Sequence, residues 1–265
     1  MVHGNKVNAI REYKVVKSNE LIREGRYNLT TQQQKIILFA ISKIKKNDDP
    51  RQLYEIPIDE FCAACNIEMD IVGGTYYRRI KSDLLKLTTR LWVEFPDKSE
   101  GTISWLSDAY IIPLSGTVQF RFHEKLWPYL FDLQSRYTQY SLEEVLCFHG
   151  KYSIRLFEIL RSYFTQEELD TGTRKEITIP VDHFREQLCV SAYPSWKEFN
   201  RNVVKKAVDE INLVCEQMEV SYQTIRRGNV ITDIVFTVSS PEELKDRLTR
   251  YQNLRKRLPR QRKDG

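Results

Sequence analysis

The sequence predicts an α+β chain of two tandem winged-helix domains, each a helix-turn-helix followed by a β-hairpin wing. Three observations predict it: a motif that returns at a constant offset, the same order of helices and strands in both copies, and a basic helix face in the second copy. The segment Ile56-Pro57-Ile58-Asp59-Glu60-Phe61 returns as Ile179-Pro180-Val181-Asp182-His183-Phe184. Without a gap, that offset carries Ile67 onto Val190, Tyr76 onto Phe199, Ile80 onto Val203, Leu84 onto Ala207, Leu85 onto Val208 and Leu91 onto Val214. At so long a period the copies are domains rather than solenoid units.

Each copy opens on an amphipathic helix. The first is Gln32–Lys43, with Ile36, Ile37, Phe39 and Ala40; the second is Tyr152–Phe164, with Ile154, Leu156, Phe157 and Leu160. A short extended piece then ends in Ile-Pro-(Ile/Val)-Asp, whose aspartate suits the N-cap of a brief helix, 60–66 or 183–189. A turn follows, with Gly73-Gly74 or Tyr193-Pro194-Ser195, and then a long third helix, about 75–91 or 196–217. In the first copy, the wing is placed at Phe95–Gly101 and the last strands within Trp105–Phe122, before a helix-like stretch at 123–133. In the second, Tyr222–Ile225 and Val230–Val238 read as strands joined by Arg226-Arg227-Gly228-Asn229. Helix, strand, helix, turn, helix, hairpin is the winged-helix order. The expected divisions are an N-terminal domain at 1–135, a C-terminal domain at 136–244 and a basic tail at 245–265.

The bulk properties agree. A chain of 265 residues with 41% hydrophobic content can bury two ordinary cores, which excludes wholesale disorder. The longest apolar run, Ile36–Ile41, is far short of the roughly 20 residues that span a bilayer, and no signal-peptide pattern opens the chain. A soluble, cytoplasmic protein without membrane contact is expected. Five cysteines, an odd number in apolar or helical stretches, point to reduced thiols. Cys62-Ala-Ala-Cys65 has zinc or redox spacing, but no second pair and no suitably spaced histidine accompany it, so two half-buried helix residues and no metal are expected. The net charge of +5 collects at one end: residues 245–265 hold nine basic residues and two acidic ones. Such a tail favours a polyanion or serves as a solubilising end.

The helix 196–217 has two faces. Phe199, Val203, Ala207, Ile211 and Val214 fall at core spacing, while Lys197, Arg201 and Lys205 step by four along the opposite side, flanked by Asn200, Asn202 and Lys206. These side chains suit purine edges and phosphates, and they sit in the helix half that a helix-turn-helix protein inserts into the major groove. Arg226 and Arg227 at the second hairpin tip suit backbone phosphate. The first wing carries Asp97 and Glu100 instead, leaving Arg78, Arg79, Lys81, Lys86 and Arg90 for backbone contacts. Base reading is therefore assigned to the second domain. Supporting phosphate contacts and protein–protein contact go to the first. Trp105, Leu106, Tyr110, Ile111 and Ile112 compose an apolar edge suited to pairing with a twin chain, or else fill their own core.

Enzymatic signatures are missing. No Gly-x-x-x-x-Gly-Lys-(Ser/Thr) loop occurs, and His3, His123, His149 and His183 never form the His-hydrophobe-His pattern of a metal-dependent nickase. A non-enzymatic protein without cofactors is expected.

The stretch Ser135-Arg-Tyr-Thr-Gln-Tyr-Ser-Leu142, followed by Gly150-Lys-Tyr-Ser-Ile-Arg-Leu-Phe-Glu-Ile-Leu160, resembles the central signature of iteron-plasmid replication initiators, of the RepE, Pi and RepA type. Phe199–Asn212 resembles that family's recognition helix and Leu29–Phe39 its first helix; the likeness covers about residues 10–245. The chain departs from it at Phe157 and at His149-Gly150, where members often have Tyr and Leu-Ser. The resemblance implies binding to directly repeated iterons at an origin and recruitment of host DnaA and the replicative helicase. It also implies that monomers initiate while dimers repress the initiator's own promoter at an operator. The alternatives are a winged-helix transcriptional regulator with no replication role and a protein–protein scaffold.

Overall fold

A computed structural model of the chain describes residues 13–65, 67, 75–89, 91–94, 100–240, 249–250, 252–253 and 256. They form two compact units. The first holds the chain up to Leu21 and Gln32–Leu146; the second holds Ile22–Thr31 and Cys147–Arg257. The break thus falls between Leu146 and Cys147 rather than at 135/136. The reason is β1, Lys14–Ser18, which pairs antiparallel with β7, Tyr137–Ser141, and draws residues 137–146 into the first unit.

In the first unit, α1 (Asn19–Glu24) lies across the division and α2 (Thr31–Ile41) is buried almost all round. The strand β2 (Tyr54–Pro57) leads into α3 (Ile58–Cys65) and then α4 (Thr75–Thr88). The strands β3 (Leu91–Glu94) and β4 (Glu100–Ile103) pair as a two-stranded ribbon. Two further strands, β5 (Leu106–Ile112) and β6 (Thr117–Phe122), complete a sheet of order β2-β6-β5. A 3-10 turn, Glu124–Leu126, and α5 (Trp127–Leu130) replace the helix expected at 123–133, and α6 (Leu142–Leu146) closes the unit. Phe39, Phe61, Phe120 and Phe122 centre the core; Phe39 meets Phe61 edge-on at 6.1 Å.

The second unit repeats the plan. A buried helix α7 (Lys151–Arg161) is followed by α8 (Gln166–Asp170), β8 (Lys175–Pro180) and α9 (Val181–Gln187). Trp196–Phe199, a π turn at Asn200–Val204 and Lys205–Val214 run on as one helix, α10. The strands β9 (Glu219–Arg227) and β10 (Val230–Ser239) form the wing, in a sheet of order β8-β10-β9. Asp182 lies inside the first turn of α9, not at its N-cap, which is Pro180; its charge still favours the positive helix end. Asp59 likewise falls within α3.

The matching registers correct the placing of the first wing. Ile56 faces Val118 on β6, and Ile179 faces Ile234 on β10, so β5–β6 is the counterpart of β9–β10. The β3–β4 ribbon is an addition between α4 and that hairpin. Its turn, with the Asp97 of the expected acidic tip, lies outside the described residues. The true counterpart tip, Pro113-Leu114-Ser115-Gly116, bears no charge, and Leu114 is fully exposed.

The helix alignment also slips. Val208 is buried, but Leu85, its expected counterpart, is 65% exposed. A π turn takes in one extra residue. Beyond it, Leu84 corresponds to Val208 and Leu87 to Ile211, buried onto buried.

Residues 22–31 are anchored within the second unit by Arg155 of α7, only 2% exposed. Its Nη2 donates to the carbonyls of Ile22 and Gly25, both at 3.0 Å, and its Nη1 to Tyr27 Oη at 2.5 Å and Glu158 Oε2 at 3.3 Å. Burial opposes its charge, but Tyr27 and Glu158 outweigh that and hold the guanidinium above its ordinary range. Arg155→Met removes the cation beside buried Glu158 and the guanidinium donor of the Ile22 and Gly25 carbonyls. We expect a loss of about 3–5 kcal/mol in chemical denaturation, with early proteolysis within residues 22–31; a change under 1 kcal/mol would refute the anchoring role.

Candidate nucleic-acid interface

The geometry of α10 follows from its inner face. Phe199, Val203, Ala207, Ile211 and Val214 are all buried, as their spacing predicts. Phe199 meets Phe184 of α9 edge-on at 6.0 Å, and Phe184 meets Phe236 of β10 at 5.5 Å. The ring series sets α10 against both the preceding helix and the sheet. Arg185 holds the turn between α9 and α10. It stacks over the Phe199 ring at 4.1 Å and donates to the carbonyls of Tyr193, Pro194 and Ser195 at 2.8, 3.4 and 3.4 Å. Ser195 then caps α10 by accepting from Glu198 N–H at 3.3 Å.

With that face spent, Lys197, Arg201, Lys205 and Lys206 are exposed on the other. Lys197, Arg201 and Lys206 have no side-chain partner among the described residues. Lys205 pairs with Asp209 at 2.6 Å, which raises its pKa through that hydrogen bond and offsets part of its charge toward any anion. Asn200 and Asn202 are half-buried, and each is engaged within the fold. Asn200 Oδ1 accepts from Tyr222 Oη at 2.6 Å, and Asn202 Nδ2 donates to the Glu198 carbonyl at 3.0 Å. Sequence reasoning passed over Tyr222, whose only local signal is its inward place on β9. It ties the base of the wing to the N-terminal half of α10.

Arg226 and Arg227 end β9, both exposed, opposite Ile231 and Val230. Gly228 has φ +60° while Asn229 has none of the positive-φ character, the pattern of a two-residue II′ turn that only glycine enters easily. In the first unit Arg78, Arg79 and Lys81 are exposed on α4. Lys81 borders a groove of about 540 Å³ between α4 and β5, lined also by Leu84, Leu85, Tyr110 and Ile112. Lys86 is exposed, and Arg90 lies outside the described residues. Of the apolar edge, Trp105 and Leu106 are buried in their own core, whereas Tyr110 is 48% exposed on the edge strand β5.

The basic tail is not all tail. Arg250 is buried, donating to the carbonyls of Cys215 and Met218 at 3.3 and 2.9 Å just beyond α10. Cys62 is buried, and loss of hydration pushes its thiol up to about 12, so it is a packing residue. Among the described residues no group of three or more His, Cys, Asp and Glu side chains is placed to hold a metal, and no helix is long and apolar enough to cross a membrane.

Residues 14–161 match the family described as "Initiator Replication protein, WH1", and residues 180–238 match "Initiator Rep protein, WH2". The chain belongs to this initiator replication protein family. A "Replication initiation protein" of Escherichia coli is 26% identical over 250 residues, covering 91% of this chain and 74% of that one. The solved structure "Crystal structure of Pi initiator protein in complex with iteron DNA" matches with a TM-score of 0.66, covering 88% of this chain and 99% of that one at 18% identity. At that identity the likeness establishes the fold, two winged helices in tandem. Both units of this family member therefore carry the predicted architecture.

One contact reaches α10 from outside the helix-turn-helix. Glu210 accepts from the backbone N–H groups of His149 and Gly150, at 2.8 and 3.0 Å, and so caps the start of α7. A Cβ at Gly150 would lie 2.6 Å from Ser153 Oγ and 3.0 Å from Glu210 Oε2, so a larger residue there would have to displace those side-chain ends. Glu210→Ala leaves both amides without the carboxylate. A loss of about 1–3 kcal/mol is expected in urea denaturation; wild-type stability would show the cap to be dispensable.

Proposed function

We propose that this chain is a plasmid replication initiator that binds directly repeated origin sequences as a monomer. It reads them through α10 and the wing of its second unit. The observation that carries this reading is a helix with one wholly buried face and, opposite, exposed Lys197, Arg201, Lys205 and Lys206. The relative solved with iteron DNA supports the choice of ligand. Arg201 is the foremost base-contacting side chain, since its five donors are unspent and suit a guanine edge. Arg226 and Arg227 contact phosphate, while Arg78, Arg79 and Lys81 add backbone contacts from the first unit. Recruitment of host DnaA and the replicative helicase completes the reading and follows from family membership alone.

Arg201→Ala is expected to weaken binding to the cognate repeat by about 1–3 kcal/mol and binding to random DNA less. Replacing both Arg226 and Arg227 by Ala is expected to weaken both alike and to flatten log K against log salt by about 0.9 per lost contact. Fluorescence anisotropy across a salt series measures both. Equal loss on the two DNAs for Arg201→Ala would reduce it to a phosphate contact.

The same reading assigns repression of the initiator's own promoter to a homodimer formed through the first unit. What supports it is the edge of β5, unpaired among the described residues, where half-exposed Tyr110 shares a groove with exposed Leu85. Trp105 and Leu106 are excluded from this contact by burial. Sedimentation of the full chain at tens of micromolar is expected to show a dimer that Tyr110→Lys shifts to monomer. A monomeric wild type, or a dimer untouched by the substitution, refutes the assignment.

A further inference from the structure

Asn200 and Asn202, in the N-terminal half of α10, are set in opposite senses by the fold itself. Asn200 has its Oδ1 taken by Tyr222, which leaves amide N–H groups for an outside partner. Asn202 has its Nδ2 held by the Glu198 carbonyl, one turn earlier on the same helix. Its Oδ1 has no partner among the described residues, yet it is not one of the buried side-chain atoms that lack one, so it meets solvent. Rotating the amide would lose the 3.0 Å bond and set Oδ1 against the Glu198 oxygen, two acceptors in contact. Asn202 therefore presents an acceptor on a helix face whose unpaired charged groups, Lys197, Arg201 and Lys206, are all donors; the carboxylates nearby are engaged, Asp209 by Lys205 and Glu198 by Ser195.

We infer that Asn202 is a specificity-determining residue that accepts a hydrogen bond from the exocyclic amino group of one adenine or cytosine in the major groove. A phosphate oxygen would repel the Asn202 oxygen, so through this atom the side chain is unsuited to the backbone that its cationic neighbours attract; only its second amide hydrogen could donate there. Adenine N6 and cytosine N4 are the donors the major groove offers, while guanine and thymine present only acceptors there. The same oxygen thus selects for an amino base and against the other two at one position of the strand it faces. The cations supply affinity on every sequence; Asn202 supplies discrimination.

The inference rests on α10 entering the major groove as proposed above, and the experiment separates the two. The full-length wild-type chain and Asn202→Ala each select a site from random duplex DNA. Within the wild-type site each adenine is then replaced by 2-aminopurine, and each cytosine by 2-pyrimidinone, to take its amino group out of the major groove. At one position the analogue is expected to lower wild-type affinity about tenfold. Asn202→Ala is expected to ignore the analogue at that position and to bind random DNA as tightly as wild type. Equal losses for Asn202→Ala on selected and random DNA would overturn the inference. A motif that Asn202→Ala selects as sharply as wild type overturns it while leaving the DNA-reading helix intact. A wild-type chain that selects no motif at all removes both.

Discussion

The burial of Phe199 against Phe184 is the contact on which the presentation of α10 depends. A surface helix can offer one face to a ligand only if the other is spent on the core, because packing rather than propensity holds most protein helices. Phe199 leads the buried row, Phe184 carries the contact to Phe236, and Arg185 closes the turn over the same ring. Remove that packing and the basic stripe has no defined direction. The stripe's chemistry and the core's chemistry are thus two sides of one periodicity.

The same plan, built twice, has diverged in what it leaves exposed. In the second unit the wing ends in two arginines and the long helix exposes cations. In the first, the equivalent hairpin ends in the uncharged Pro113-Leu114-Ser115-Gly116, and the long helix exposes Leu85 among its cations Arg78, Arg79, Lys81 and Lys86. A face with apolar side chains around a groove suits contact with protein more than with a phosphate backbone, which is strongly charged and hydrated. The division of labour proposed for the two units follows from this difference in surface, not from any difference in fold.

The strap at 22–31 shows how a short polar segment is kept in a core. Its carbonyls at Ile22 and Gly25 are satisfied by one guanidinium, which is itself neutralised by Glu158 and bonded to Tyr27. Arginine is suited to this task because its planar fork can reach several acceptors at once and stays charged when buried. Arg23 adds a bond to the Ser162 carbonyl at 2.6 Å and stacks on Tyr163 at 3.9 Å. A lysine at position 155 would leave most of these acceptors unmet.

The sequence by itself determined the fold class, the order of elements in each copy, the buried face of α10 and the cations opposite it. These are local properties: a helix period, a strand motif and a charge pattern can each be read over a dozen residues. Only the tertiary structure decided where the units divide, since that depends on β1 pairing with a strand more than a hundred residues away. It alone decided that β5–β6 is the counterpart of the second wing, a matter of which strand lies opposite Ile56. It moved Arg250 from the tail to the core and slipped the helix alignment by one at the π turn. It also oriented the two asparagines, because an amide's sense is set by its partner in space, Tyr222 or the Glu198 carbonyl, and no residue type or spacing encodes which end is left free.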